Sequence, residues 1–285
     1  MPELPEAQTI VSDLKKVLPG LKITGFWTDI ASFGKIKDKA AGKKILGLER
    51  KGKNILIHLS DNLTLLVHQK MTGHLLYGKW QKKNNAWKSM IQGPLNDPEN
   101  RFIHLLFFLS NGYQLALCDM RKFAKALTWP TDKLTRLKDI KNLGPDPFDK
   151  NFTFGRFKEI ISKKSGKIKT VLMDQSLISG IGNIYSDEIL WFSAVHPLKP
   201  AKKLKEKEIK KIYRTIRFIL KKAIRARGSS YIDYRDAFGR KGKYQEMHCV
   251  YQMTGMKCKK KDGGIIEKIK IGGRSAHFCP VHQKL

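Results

Sequence analysis

Between residues 44 and 119 the chain is cut into short apolar runs by turn residues, and after residue 150 that pattern gives way to helical spacing. The runs 44–49, 54–59, 63–68, 102–109 and 113–119 have strand length and are separated by Gly, Asn or Asp. Ahead of them, Ile10, Val11, Leu14 and Leu18 recur at steps of three and four, so 5–18 reads as a helix stopped by Pro19-Gly20. Past residue 152 the clearest helix begins near Glu206, where Ile209, Ile212, Ile216, Ile219 and Ala223 share one face, and Gly228-Ser229-Ser230 breaks it. A strand-rich first part and a helical second part make an α+β chain. The polar, Asn- and Lys-rich stretch 78–101 reads as a surface loop, and 233–245, rich in Gly and charge, as a mobile one.

Charge narrows the partners. Fifty-six Lys and Arg against 25 Asp and Glu leave a net charge of +31, far more than solubility requires, which points to a polyanion and to nucleic acid before membrane. No apolar run approaches the roughly 18 residues that span a bilayer, and the start is not of the basic-apolar-small kind. Four cysteines in 285 residues are too few for a disulfide scaffold. These features imply a cytosolic protein.

The start, Met1-Pro2-Glu3-Leu4-Pro5-Glu6, carries chemistry if Met1 is trimmed. Pro2 then bears a free secondary amine, and an α-amino group titrates near pH 8, so a usable fraction is unprotonated at neutrality. Such an amine attacks carbonyl-like carbons and forms an iminium that is cationic without further protonation. Glu3 supplies a carboxyl for proton transfer and Glu6 lies one turn further on. Taken alone, Pro2 reads as an ordinary second residue and the two acids as the usual charges of a helix first turn; the rest of the chain reverses that preference.

Two further segments join the N-terminus. Leu172-Met173-Asp174-Gln175 with Gly180-Ile181-Gly182-Asn183-Ile184-Tyr185-Ser186-Asp187-Glu188 resembles the helix–two-turn–helix of the Fpg/Nei DNA glycosylases. Gly272-Gly273-Arg274-Ser275-Ala276-His277-Phe278-Cys279-Pro280 resembles that family's zinc-finger hairpin. With 1–6, these motifs span nearly the whole chain in order, and Leu4 matches the Fpg branch, which acts on formamidopyrimidine and 8-oxoguanine. The resemblance implies an N-terminal β-sandwich domain flanked by helices (1–130), a linker (131–150), a helix–two-turn–helix domain (151–228), a lesion-capping loop (229–249) and a zinc-finger-like β-hairpin (250–285).

It also implies roles. Pro2 is the nucleophile, Glu3 moves protons at the sugar, Glu6 orients the lesion or the terminus, and Lys53 contacts phosphate near the lesion. Glycines at the 180–183 turn let backbone approach a phosphate, so Gly182, Asn183, Lys169 and Arg274 are expected on the DNA backbone. Met71, Arg121 and Phe123 match the residues that fill the hole left by a flipped nucleotide, where apolar or planar groups limit the unstacking cost. Lys70 stands in place of a common glycine, and Met120-Arg121-Lys122-Phe123-Ala124 in place of Pro-Arg-Arg-Phe-Gly.

The finger is altered. Cys279-x2-His282 keeps a second ligand pair, whereas Cys258 is followed by Lys259-Lys260-Lys261-Asp262, which puts Asp262 where the second Cys falls with one residue inserted. Cys258, Asp262, Cys279 and His282 can hold one structural zinc; alternatively the hairpin folds by packing alone. Cys118 and Cys249 read as buried thiols. The resulting expectation is a monomeric, bacterial, bifunctional glycosylase and AP lyase acting on oxidised purines in duplex DNA, with a Nei-like pyrimidine glycosylase or a non-catalytic DNA-binding protein as alternatives.

Overall fold

The computed structural model describes residues 1–285 and divides into two units, Met1–Lys141 with Ile224–Gln245, and Asn142–Ala223 with Glu246–Leu285. The first runs α1 (Leu4–Leu14), β1 (Ile23–Thr28), α2 (Gly34–Ala40), β2 (Ile45–Lys51), β3 (Asn54–Leu59), β4 (Leu63–His68), β5 (His74–Gly78), β6 (Trp80–Lys83), β7 (Ala86–Ser89), β8 (Ile103–Leu109), β9 (Gln114–Cys118), β10 (Lys125–Pro130) and α3 (Lys138–Lys141). Two four-stranded antiparallel sheets, ordered β1-β8-β9-β5 and β10-β4-β3-β2, form the sandwich.

Alternation along the strands assigns the faces. Ile55, Ile57, Leu65 and Val67 of one sheet and Leu75, Leu105, Phe107 and Leu117 of the other share one core with Ala7, Ile10, Val11 and Leu14 of α1. The intervening residues are apolar as well, so each outer face needs its own cover. Leu56 and Leu66 are buried beneath Leu137, with Leu134 and Ile140 packed beside it. Leu76, Leu106 and Ala116 are buried beneath Trp80 and Leu95.

Those covers revise two expectations. The stretch 78–101 is not a plain surface loop: it folds as the β6–β7 hairpin and two 3-10 turns, Pro94–Asn96 and Pro98–Arg101, because Trp80 and Leu95 have a sheet face to bury. Within 131–150, residues 131–141 fold back as a 3-10 turn and α3 over the opposite face.

The second unit contains α4 (Phe154–Ser162), α5 (Ile168–Met173), α6 (Asn183–Ser193) and α7 (Glu206–Arg225), whose last two residues belong to the first unit, then β11 (Glu267–Ile271) and β12 (Arg274–Phe278). Thr153 caps α4 through its Oγ1, which accepts the Arg156 N–H at 3.3 Å. The buried face of α7 carries Ile209, Ile212, Ile216, Ile219 and Ala223, as the spacing predicts. β11 and β12 pair antiparallel through Gly272-Gly273, at φ 54° and 76°, the left-handed pair a two-residue hairpin turn requires. No helix is long and apolar enough to cross a membrane.

Candidate functional site

In the first unit the chemistry gathers at the start of α1. Glu3 is the N-cap in extended conformation, Pro5 occupies the first turn, and Pro2, Glu3 and Glu6 are buried. Glu6 Oε2 accepts the Glu3 N–H at 2.7 Å in a capping box. Its other oxygen, Oε1, accepts the Ser229 N–H at 2.8 Å, so one carboxylate serves both the chain start and the base of the loop that follows. Gly228 makes that approach possible: at φ +80°, a Cβ there would stand 2.8 Å from Glu6 Oε1. Met1 projects outward, 41% exposed.

Lys53 lies in the β2–β3 turn and is buried, while Arg50 of β2 ties that turn to α1, donating to Gly52 O and Gln8 Oε1, each at 2.9 Å. His68 at the end of β4 is pushed down to about 4, by burial first and then by the nearby Lys70 and Lys53 charges, with Asp139 opposing. Its Nδ1 accepts the Lys70 N–H at 3.0 Å, which requires a neutral ring.

The two loops expected to enter the duplex are tied together by a residue the sequence reading missed. Buried Asp119 bonds Thr72 Oγ1 through Oδ1, and its Oδ2 accepts the Ala124 N–H at 2.6 Å. Arg121 N–H reaches Thr72 Oγ1 at 3.2 Å. Phe123 is 52% exposed, with the Arg121 guanidinium 4.5 Å from its ring centroid, while Met71 is half-buried. Lys70 and Lys122, where the family pattern is altered, both hold left-handed backbone, φ 53° and 56°. An Asp directly after a strand and two residues before Arg121 is the Asx-turn signal that could have revealed Asp119.

The expectation that 233–245 is mobile is corrected. Asp236 is fully buried and accepts from Arg227 Nε at 2.9 Å and Arg240 Nε at 3.1 Å, and Arg227 also reaches Asp13 at 2.5 Å. Burial pushes the Asp13 carboxyl above its usual range, against the pull of Arg227. A charge-rich segment looks solvated in sequence because nothing local shows that Asp236 is buried between Arg227 and Arg240, or that Arg235 meets Asp97 138 positions away.

In the second unit, Gly182 caps α6 and Asn183 opens it, with the Asn183 Oδ1 buried and lacking a protein partner. Gln175, also missed, spans the turn: its Oε1 accepts the Gly180 N–H at 2.8 Å and its Nε2 donates to Ile181 O at 2.7 Å. Lys169 is a correction. It is fully buried, with its ammonium on Asp187 and 3.3 Å from Ser186 Oγ, so it supports the turn from within and has no exposed charge for a phosphate. The same Asp187 accepts the His277 N–H at 3.0 Å, and Glu188 accepts those of Cys249, Val250 and Tyr251, so two neighbouring carboxylates on α6 hold the finger. Arg274 is exposed at the hairpin tip.

Cys258, Asp262, Cys279 and His282 converge, their donor atoms all within 4.8 Å of one another, and form a group able to hold a metal. Cys258 Sγ to His282 Nδ1 is 3.7 Å and Cys279 Sγ to Asp262 Oδ1 is 3.6 Å, close to the ~3.5 Å edge that tetrahedral zinc–sulfur and zinc–nitrogen bonds subtend. His282 Nδ1 also meets Asp262 Oδ2 at 2.6 Å, while its Nε2 lies 3.3 Å from Trp191 O, a contact that aims Nδ1 inward. Cys118 and Cys249 stand outside this group and are buried.

A sandwich led by a capped, buried Pro-Glu start and followed by a helix–two-turn–helix with a hairpin finger is a DNA-glycosylase architecture. The model for the formamidopyrimidine-DNA glycosylase N-terminal domain matches residues 1–126, and that for the H2TH domain of the same enzymes matches 143–234. Formamidopyrimidine-DNA glycosylases of Pelotomaculum thermopropionicum and Desulforamulus reducens are 40% and 35% identical to this chain, covering all of it and 100% and 99% of their own lengths. A Lactococcus lactis Fpg variant bound to DNA containing Fapy-dG superposes with a TM-score of 0.87 at 34% identity, each chain fully covered. The wild-type L. lactis protein with DNA containing an oxidised pyrimidine gives 0.86, also at 34% with full coverage. The chain belongs to the formamidopyrimidine-DNA glycosylase family.

Proposed function

We propose that this protein is a bifunctional DNA glycosylase and AP lyase that excises oxidised purines, 8-oxoguanine and formamidopyrimidines, from duplex DNA. With Met1 removed, the Pro2 nitrogen attacks C1′ of the extruded nucleotide and displaces the base. Glu3 moves protons at the sugar, and the resulting iminium acidifies the adjacent C–H, so elimination cuts the strand on the 3′ side and then the 5′ side. Glu6 fixes the terminus against Ser229, and Lys53 contacts phosphate near the lesion. Met71, Arg121 and Phe123 fill the vacated stack, while Gly182, Asn183 and Arg274 bind backbone phosphates. Lys169 acts indirectly, through Asp187. The finger group takes one zinc ion, held by Cys258, Asp262, Cys279 and His282, with a purely structural role.

The observation that carries this reading is the buried start of α1, where Pro2 is enclosed, the Glu3 N–H is held by the Glu6 carboxylate and the initiator is left outside. Borohydride trapping tests it on duplexes bearing 8-oxoguanine, thymine glycol or a bare abasic site. A covalent adduct on 8-oxoguanine and the abasic site, lost in Pro2→Gly, is the expected result. An adduct on thymine glycol in preference to 8-oxoguanine would favour a pyrimidine-directed enzyme, which the L. lactis complex with an oxidised pyrimidine keeps in view. No adduct on any duplex would leave a DNA-binding protein without catalysis.

A further inference from the structure

The segment 78–101 has so far only a packing role, yet its far end grips the loop at 229–249. Asp97 N-caps the 3-10 turn Pro98–Arg101, its Oδ1 accepting the Glu99 N–H at 3.0 Å. The same carboxylate takes Arg235 in a two-pronged bond, Nη2 to Oδ1 at 2.9 Å and Nε to Oδ2 at 3.0 Å, with the Arg235 side chain 4% exposed. The third nitrogen of the guanidinium, Nη1, donates to Ile232 O at 3.3 Å and Tyr234 O at 2.9 Å. One planar group thus links a carboxylate of the segment to the backbone at the loop tip, where Tyr231 and Ile232 are 53% and 67% exposed.

The anchor itself is stiff. Asn100 is buried, its Oδ1 accepts from His74 Nε2 at 2.9 Å, and its Nδ2 donates to Pro94 O at 2.9 Å and Gly239 O at 3.4 Å. Ala237 O accepts the Tyr77 N–H at 2.7 Å. The loop therefore has a fixed heel, 234–243, and an exposed tip, 231–233.

We propose that Asp97 is a positioning residue for excision: through Arg235 it holds the Ile232 carbonyl of the loop tip and the Tyr234 carbonyl at its base, and segment 78–101 thereby takes part in lesion selection. The inference rests on the reading of 229–249 as the loop over an extruded base. A bare abasic site offers no base for that tip to hold, so strand cleavage there does not need the clasp.

The variants are Asp97→Asn, Arg235→Ala and the double substitution, in the full-length protein. Asn keeps the N-cap on Glu99 and removes only the charged bidentate grip. Excision of 8-oxoguanine should fall roughly tenfold or more in kcat/KM while cleavage at an abasic site stays within about twofold, and the double variant should be no worse than the worse single one. Hydrogen exchange at 231–233 should quicken several-fold while α1 is unchanged. Unchanged exchange at the tip, or excision and abasic cleavage falling in parallel, would overturn the proposal. A wild-type protein that cuts abasic sites and excises no oxidised base would instead defeat the functional reading, and exchange would still decide whether Asp97 holds the tip.

Discussion

At the start of the chain the polar groups are used up on one another; at its end four donor atoms converge on a shared point. Glu6 satisfies Glu3 and Ser229, Asp13 and Asp236 share Arg227, and Asp119 closes two loops. Each is a buried carboxylate accepting specific N–H or O–H donors, and leaving such donors unmatched costs about 1–3 kcal/mol apiece. In the finger, two thiols, one imidazole and one carboxylate gather where a four-thiolate set would serve as well. A site that must place a nucleophile has one solution, whereas a structural site needs only donors at the right spacing. On the proposed roles, a finger with Asp262 and His282 in its donor set can still take a metal, whereas Pro2 has no substitute as the nucleophile.

The contrast breaks most visibly at Glu3. Glu3→Gln keeps the shape of the N-cap and removes the proton-transfer group, so excision should fall by roughly 10²–10⁴-fold with the unfolding midpoint almost unmoved. Single-turnover kinetics beside a thermal melt separates the two. A parallel loss of stability would mean that the start of α1 is a structural knot and not a site.

Asp119→Ala tests whether the two loops act as one. It strips a carboxylate partner from Thr72 Oγ1, Arg121 N–H and Ala124 N–H together, and a displacement of order 1 Å at a reacting centre can cost ~10²-fold, so excision should drop ten- to a hundredfold. Fluorescence of a base analogue opposite the lesion should show incomplete filling of the stack. Normal stacking in Asp119→Ala would mean that Met71 and Phe123 are placed independently.

Much of this was legible in sequence, unevenly. The period of α7 and the Gly272-Gly273 turn are local, and local patterns can be read from neighbours. Asp119 with Thr72 spans 47 positions and Asp97 with Arg235 spans 138, so no window of sequence contains either pair. Lys169 was misplaced because a lysine is ordinarily solvated; here it lies on a helix whose Ile168, Val171 and Leu172 are also buried, and Asp187 supplies the counter-charge. Segment 78–101 read as a loop because three bulky residues, Trp80, Trp87 and Leu95, are spread across sixteen positions, and only the apolar outer face of the sheet reveals their purpose.

At the other end, Asp262→Ala sharpens the claim that donors there are interchangeable. Zinc content measured by elemental analysis should fall from about one ion per chain, and the melting temperature by several degrees, on the order of 2–4 °C per kcal/mol for a unit of this size. Asp262→Cys should restore both. Full zinc content in Asp262→Ala would show that water or another group completes the site.

The smallest effect is a matter of pH. His68, held down to about 4 in the folded protein, titrates near 6.5 when unfolded, so between those values the unfolded chain binds the extra proton. Stability contributed by the neutral ring is therefore complete above about pH 6.5 and lost as pH falls toward 4. The ring is partly exposed, which trims the contribution to on the order of 1–3 kcal/mol. Protonation would also turn Nδ1 from acceptor to donor against the Lys70 N–H, beside the Lys53 and Lys70 charges and with only Asp139 in favour. His248, in the other unit, is pushed down likewise to about 4, by burial and then Lys259, so His68→Gln should flatten only part of the acid limb. Urea midpoints measured at pH 7 and pH 5 for wild type and His68→Gln give the difference directly. Equal slopes in the two proteins would mean that His68 contributes nothing to the acid limb, which would then belong to other groups such as buried His74 and His248.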